Sequence, residues 1–161
     1  MNRTRLVTWE DPAALAARMR EMTGLEALQE MMAGTLPHPP IIALLGIGME
    51  RAEPGLVVMT LPVGEHLYNP AGTVHGGASA TLLDSVMGCA VQSTLPRHRA
   101  YTTLELKLSY IRPITTATGT VTATGRVINT GRRAAFAEGT ITDAAGKILV
   151  TASTTCAIWE I

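Results

Sequence analysis

One helical segment set among six strand-like ones constrains this chain more than any other feature. The stretch GIGMERAEPGLVVMTLPV, residues 46–63, forms two strands about a turn at Glu53, Pro54 and Gly55. Four more strand segments follow from Ala100 onward: AYTTLELKLSYIRP, ATGTVTATGRVINTG, RRAAFAEGTITDAAG and KILVTASTTCAIWEI. Turn signals at Asn129-Thr130-Gly131 and Ala144-Ala145-Gly146 separate the last three. Threonine dominates these segments because β-branched side chains suit a pleated surface. Consecutive strands joined by short turns pair antiparallel. A single helix, residues 76–94, must then cover the sheet, so the expectation is an α+β fold with the sheet wrapped around that helix. Within the first of the four, Leu104, Leu106, Leu108 and Tyr110 alternate with Thr103, Glu105, Lys107 and Ser109, which predicts one buried face.

Composition narrows the class further. The chain has 161 residues, enough for one domain with a core, and 47% of them are hydrophobic against 16% charged. With one Phe and two Trp, that core must come from aliphatic side chains and threonine methyls. Net charge is zero and no long Lys/Arg run occurs, which excludes nucleic acid as the main partner. Cys89 and Cys156 lack metal-ligand spacing and read as buried free thiols of a reducing compartment. No export signal is visible, and the longest apolar run, PPIIALLGIGM, is about half of the ~20 residues that cross a bilayer. A soluble cytoplasmic protein, away from membranes, is the expectation.

Before the strands, Asp11 and Pro12 open a helix that Gly34 can stop and Gly24 can break, with a stripe of Leu15, Met19, Met22, Leu25, Leu28 and Met32. The stripe is a packing surface. His38, inside LPHPP, reads as solvated, and PPIIALLG as a short helix. The division expected is an N-terminal helical extension over residues 1–36 and a main domain over 37–161.

Laid out at helical spacing, Leu82, Leu83, Val86, Met87, Cys89, Ala90 and Val91 cover an apolar arc, and Thr81, Ser85, Gly88 and Gln92 the opposite strip. Asp84 falls at the margin. It is either a half-exposed partner of a distant arginine or a general base or nucleophile kept partly desolvated. Gly76 and Gly77 lie where unpaired N–H groups and the helix dipole suit a polarised carbonyl oxygen. His75 can orient the loop or donate a hydrogen bond, and Asn69 can position a substrate or simply make a turn. The many small residues of this helix call for a close neighbour, whether curved sheet, partner helix or ligand.

NPAGTVHGG, Asn69–Gly77, with Asp84 nine residues after His75, resembles the hotdog-fold acyl-CoA thioesterases. The group most similar is the phenylacetate-degradation (PaaI-type) family, related to 4-hydroxybenzoyl-CoA thioesterases that carry a carboxylate on the same helix. The strand TTLELKLSYIRP shares the pattern, and the resemblance spans about Ile41 to Ile158. It implies a five- or six-stranded antiparallel sheet around the helix and a dimer with active sites at its interface, often paired into a tetramer. It implies that the Gly76 N–H polarises the thioester carbonyl, supported by His75 and Asn69, with Gly77 near the substrate. Asp84 of the other subunit would act as general base or nucleophile. Thr103 would position water or carboxylate, with Thr102 as the alternative register. No metal and no cofactor is implied beyond the coenzyme A of the substrate, whose phosphates Arg97, Arg99, Arg112, Arg126, Arg132 or Arg133 would hold. Two rival readings are a hotdog hydratase or dehydratase and a non-catalytic acyl-CoA-binding protein. Leu67 stands where the hydratase pattern has an acid, and a binder has no use for Asp84.

Overall fold

The computed structural model describes residues 2–161. Its element order is α1 (Pro12–Arg20), α2 (Gly24–Met32), α3 (Pro40–Leu45), β1 (Gly48–Glu53), β2 (Leu56–Pro62), α4 (Gly76–Gln92), β3 (Arg99–Tyr110), β4 (Thr120–Thr130), β5 (Ala134–Thr142) and β6 (Ile148–Glu160). The six strands form one antiparallel sheet in the order β1-β2-β4-β5-β6-β3, as the strand succession required. Among the described residues no helix is long and apolar enough to cross a membrane.

The sheet wraps α4, which packs against β2, β3, β4, β5 and β6. Leu82, Leu83, Val86, Met87 and Val91 are fully buried there, each stabilising the fold by about 2 kcal/mol relative to exposure. Small residues allow the approach on both sides. A Cβ on Gly125 of β4 would lie 2.5 Å from the Val86 carbonyl oxygen, and one on Gly88 of α4 would overlap the Tyr101 ring of β3. The close neighbour of the small-residue helix is therefore the curved sheet.

The alternation expected along β3 slips by one residue. Thr103 pairs with Cys156 and Glu105 with Thr155, so Leu104 is an inserted bulge residue and is 66% exposed. Leu106 and Leu108 stay half-buried, but Thr103, and not Leu104, shares the inward face. A bulge re-aims side chains in this way without any mark in the hydrophobic pattern.

The first helical segment breaks in two near Gly24. Thr23 caps α2 in a reciprocal pair with Glu26, whose carboxylate also meets Arg97 at 3.4 Å. Gly24 rests directly on α4: its N–H donates to the Leu95 carbonyl at 2.9 Å, and an added Cβ would fall 1.7 Å from the Gln92 carbonyl oxygen. Leu28 and Met31 then bury the inner face of α2. Gly24→Ala must push α2 off α4 and is expected to lower stability by about 2 kcal/mol, a fall in Tm of roughly 5 °C by thermal unfolding. An unchanged Tm contradicts this packing account.

Candidate active site

The loop ahead of α4 folds on its own polar groups. The Asn69 side-chain oxygen accepts from the N–H groups of Ala71 (2.9 Å) and Thr73 (3.3 Å), and the Asn69 N–H donates to the Thr73 carbonyl at 2.8 Å. Tie points at Val74 N to Ile114 O (2.8 Å) and His75 N to Leu67 O (2.7 Å) fix where the loop enters the helix. His75 is the N-cap, and its Nδ1 accepts the Gly77 N–H at 2.9 Å. In the neutral ring this leaves the proton on Nε2, on an exposed side chain. The Ala78 N–H is taken by the His75 carbonyl at 2.9 Å. Among the described residues the Gly76 N–H has no acceptor, so it is the free donor at the positive end of a 17-residue helix. Tyr110 O–H donates to the Gly76 carbonyl at 2.9 Å and holds that peptide in place. A cleft of about 370 Å³ opens here, with Asn69, Gly76, Tyr110 and Arg112 on its walls.

Asp84 lies further along α4, half-buried, and its Oδ1 accepts a 2.7 Å hydrogen bond from the Thr103 hydroxyl that the β3 bulge turns inward. It takes part in none of the ion pairs among the described residues, so the arginine-paired reading fails. Asp84 instead lines a second cavity of about 240 Å³, together with Ser85, Cys89, Gln92 and Tyr101. Burial, then the nearby Asp84 charge, pushes the Cys89 thiol up to about 12. Burial also raises Tyr101 well above the ordinary tyrosine value and Cys156 above that of a free thiol. These groups stay neutral near pH 7, and among the described residues Asp84 is the one carboxylate on the cavity wall.

Of the residues singled out by sequence, two sets come together. Asn69, His75, Gly76 and Gly77 share the loop and helix start; Asp84, on the second cavity's wall, and Thr103 are joined by a hydrogen bond. The sets stand apart, because eight residue steps along α4 separate Gly76 from Asp84 by about 12 Å along the axis. The Gly77 N–H is bonded to His75 Nδ1, so this amide caps the helix. Thr102 is exposed, on the opposite side of β3 from Thr103. His38, expected in solvent, lines the second cavity and has a buried Nδ1 with no hydrogen-bond partner. Tyr110 escaped the sequence reading because its partner lies 34 residues away, and no local pattern marks such a contact. Of the six arginines considered, Arg112 lines the cleft at Gly76, while Arg97 pairs with Glu26 and Arg99 with Glu160 at 3.3 Å.

A family model described as the thioesterase superfamily matches residues 71–150. The proofreading thioesterase EntH of Klebsiella pneumoniae is 30% identical over 128 residues, which cover 80% of this chain and 88% of that protein. Acyl-coenzyme A thioesterase 13 of Homo sapiens is 29% identical over 133 residues, 81% of this chain and 92% of that one. The solved structure of the E. coli PaaI protein superposes with a TM-score of 0.73 at 20% identity, covering 88% of this chain and 96% of that chain, and shares the fold.

A thiol at about 12 is roughly one part in ten thousand thiolate at pH 8. Native protein is therefore expected to react with a thiol-specific disulfide reagent at least ~10²-fold more slowly than a free cysteine, and denatured protein at the ordinary rate. Rapid native labelling of Cys89 contradicts the placement of its thiol.

Proposed function

This chain belongs to the thioesterase superfamily and is a thioester hydrolase, and from that premise we propose that it cleaves acyl-coenzyme A, aryl or medium-chain, with Asp84 supplying the base. The observation that carries the proposal is the state of Asp84. Among the described residues it has no counter-ion, its Oδ1 is held by Thr103 at 2.7 Å, and it borders a largely apolar cavity. Fixing one oxygen leaves the other to act. Asp84 takes a proton from water as the hydroxide oxygen bonds to the carbonyl carbon. The tetrahedral oxyanion accepts the Gly76 N–H at the helix start. The C–S bond then breaks and the proton on Asp84 goes to the departing coenzyme A thiolate, leaving the free acid. Direct attack by the free oxygen, giving an anhydride that water opens, uses the same residues.

An axial separation of about 12 Å is too great for Gly76 and Asp84 of one copy to meet the same carbonyl. Two copies related by a two-fold axis resolve this, each lending Gly76 to the other's Asp84. The long edge strand β3 supports such a dimer: among the described residues it pairs with β6 alone, and it exposes Leu104 and Tyr110. Arg112 lines the cleft beside Gly76 and on this reading would meet a phosphate of coenzyme A.

Thiol release from a panel of acyl-CoAs, compared between wild type and Asp84→Asn at matched Tm and oligomeric state, tests the reading. Asn keeps the shape but cannot act as base or anionic nucleophile, and the expected loss in kcat is ~10²-fold or more. Turnover in Asp84→Asn at the wild-type rate contradicts it.

A further inference from the structure

Strand β3 carries a clamp for each half-site. Thr103 donates to Asp84 at 2.7 Å, and seven residues later Tyr110 donates to the Gly76 carbonyl at 2.9 Å. In a regular strand, residues seven apart face opposite sides, because successive side chains alternate. The extra residue at the Leu104 bulge cancels that change of face, so both hydroxyls meet α4. The bond to Asp84 serves a half-buried carboxylate. The bond at Gly76 is required by neither of its partners. Tyr110 is 57% exposed, so water can satisfy its hydroxyl, and the carbonyl of a helix's first residue accepts from the amide four residues on.

What the Tyr110 bond does is restrain two glycines. Gly76 and Gly77 open α4 in succession, and glycine is the residue least able to hold a backbone direction by itself. The Tyr110 hydroxyl lies 3.0 Å from where a Cβ on Gly76 would stand, so it rests against the bare Cα in place of a side chain. A chain of polar contacts starts there. The hydroxyl donates to the Gly76 carbonyl, and across the same peptide the Gly77 N–H donates to His75 Nδ1 at 2.9 Å. Bonds linked in this way polarise one another. The peptide that bears the free Gly76 N–H lies between this chain and the His75 N–H, which the Leu67 carbonyl holds at 2.7 Å.

On the reading that the Gly76 N–H meets the oxyanion, we propose that Tyr110 is a positioning residue of the reaction, whose hydroxyl aims that N–H through the Gly76–Gly77 peptide. Thr103 and Tyr110 then make β3 the strand that sets both the acid and the donor of its own chain.

Tyr110→Phe tests this, because it keeps the ring in the cleft wall and removes only the hydroxyl. Losing an oxyanion donor costs ~10²–10³ in kcat, and loosening one is expected to cost about tenfold. KM should change less than about twofold, since the contact matters in the transition state alone. A second readout needs no substrate. His75-Gly76 is the only His-Gly step in the chain, so 13C-carbonyl histidine with 15N-glycine isolates the Gly76 amide by NMR. Its order parameter is expected near the rigid value of about 0.85 in wild type and below about 0.6 in Tyr110→Phe, with the Tm of both checked. An amide as rigid in the variant as in wild type overturns this proposal, whatever the rate. A loss confined to KM overturns it too, and makes Tyr110 a wall of the binding cleft. A loosened amide with unchanged kcat and KM overturns the reading of Gly76 as oxyanion donor, and Tyr110 loses its role with it.

Discussion

The burial of α4 inside its own sheet governs everything else in this molecule. Five of its side chains are fully buried against strands drawn from almost the whole sheet. A helix held on so many sides cannot tilt or slide, so its two chemically useful points keep a fixed separation. The free N–H lies at its first residue, and the acid lies just over two turns later. On the proposed mechanism a monomer is a rigid carrier of two half-sites that a second copy completes. On that mechanism the wrap that stabilises the fold also prevents one chain from completing the proposed reaction centre.

Each half-site is shaped by leaving one bond unmade. At the helix start His75 takes the Gly77 amide and its own carbonyl takes Ala78, while Tyr110 secures the Gly76 carbonyl. The Gly76 amide is left free and oriented. At the acid, Thr103 occupies one oxygen and, among the described residues, no arginine or lysine pairs with the other. Burial keeps Cys89 and Tyr101 neutral, so neither competes as a base. Unmade bonds of this kind cost stability, and the closely packed apolar core around α4 offsets them.

Local patterning exposed much of this. The strand succession and the single helix among six strands led to the wrapped sheet, and NPAGTVHGG with Asp84 marked the loop and helix that carry the candidate site. What escaped depends on residues distant in sequence. Leu104 looks like a core residue until the Thr103/Glu105 bulge turns it outward. His38 looks solvated between prolines until α1–α3 fold over it, and Tyr110 looks like one more strand residue until its hydroxyl meets Gly76. Gly24 was legible as a breakpoint but not as a contact, because the Gln92 carbonyl that forbids a side chain there is 68 residues away.

The most direct test of the shared reaction centre is complementation between two inactive variants. Gly76→Pro removes the free N–H at a position where proline suits a helix start, following an extended His75 (φ −60°, ψ 136°). Asp84→Asn removes the base. Co-expressed in equal amounts, half the dimers are mixed, and each mixed dimer holds one site with both groups intact and one with both lost. The account predicts recovery of about a quarter of wild-type thiol release. Activity no higher than that of either variant alone would contradict it, and would place Gly76 and Asp84 of the same copy in each site.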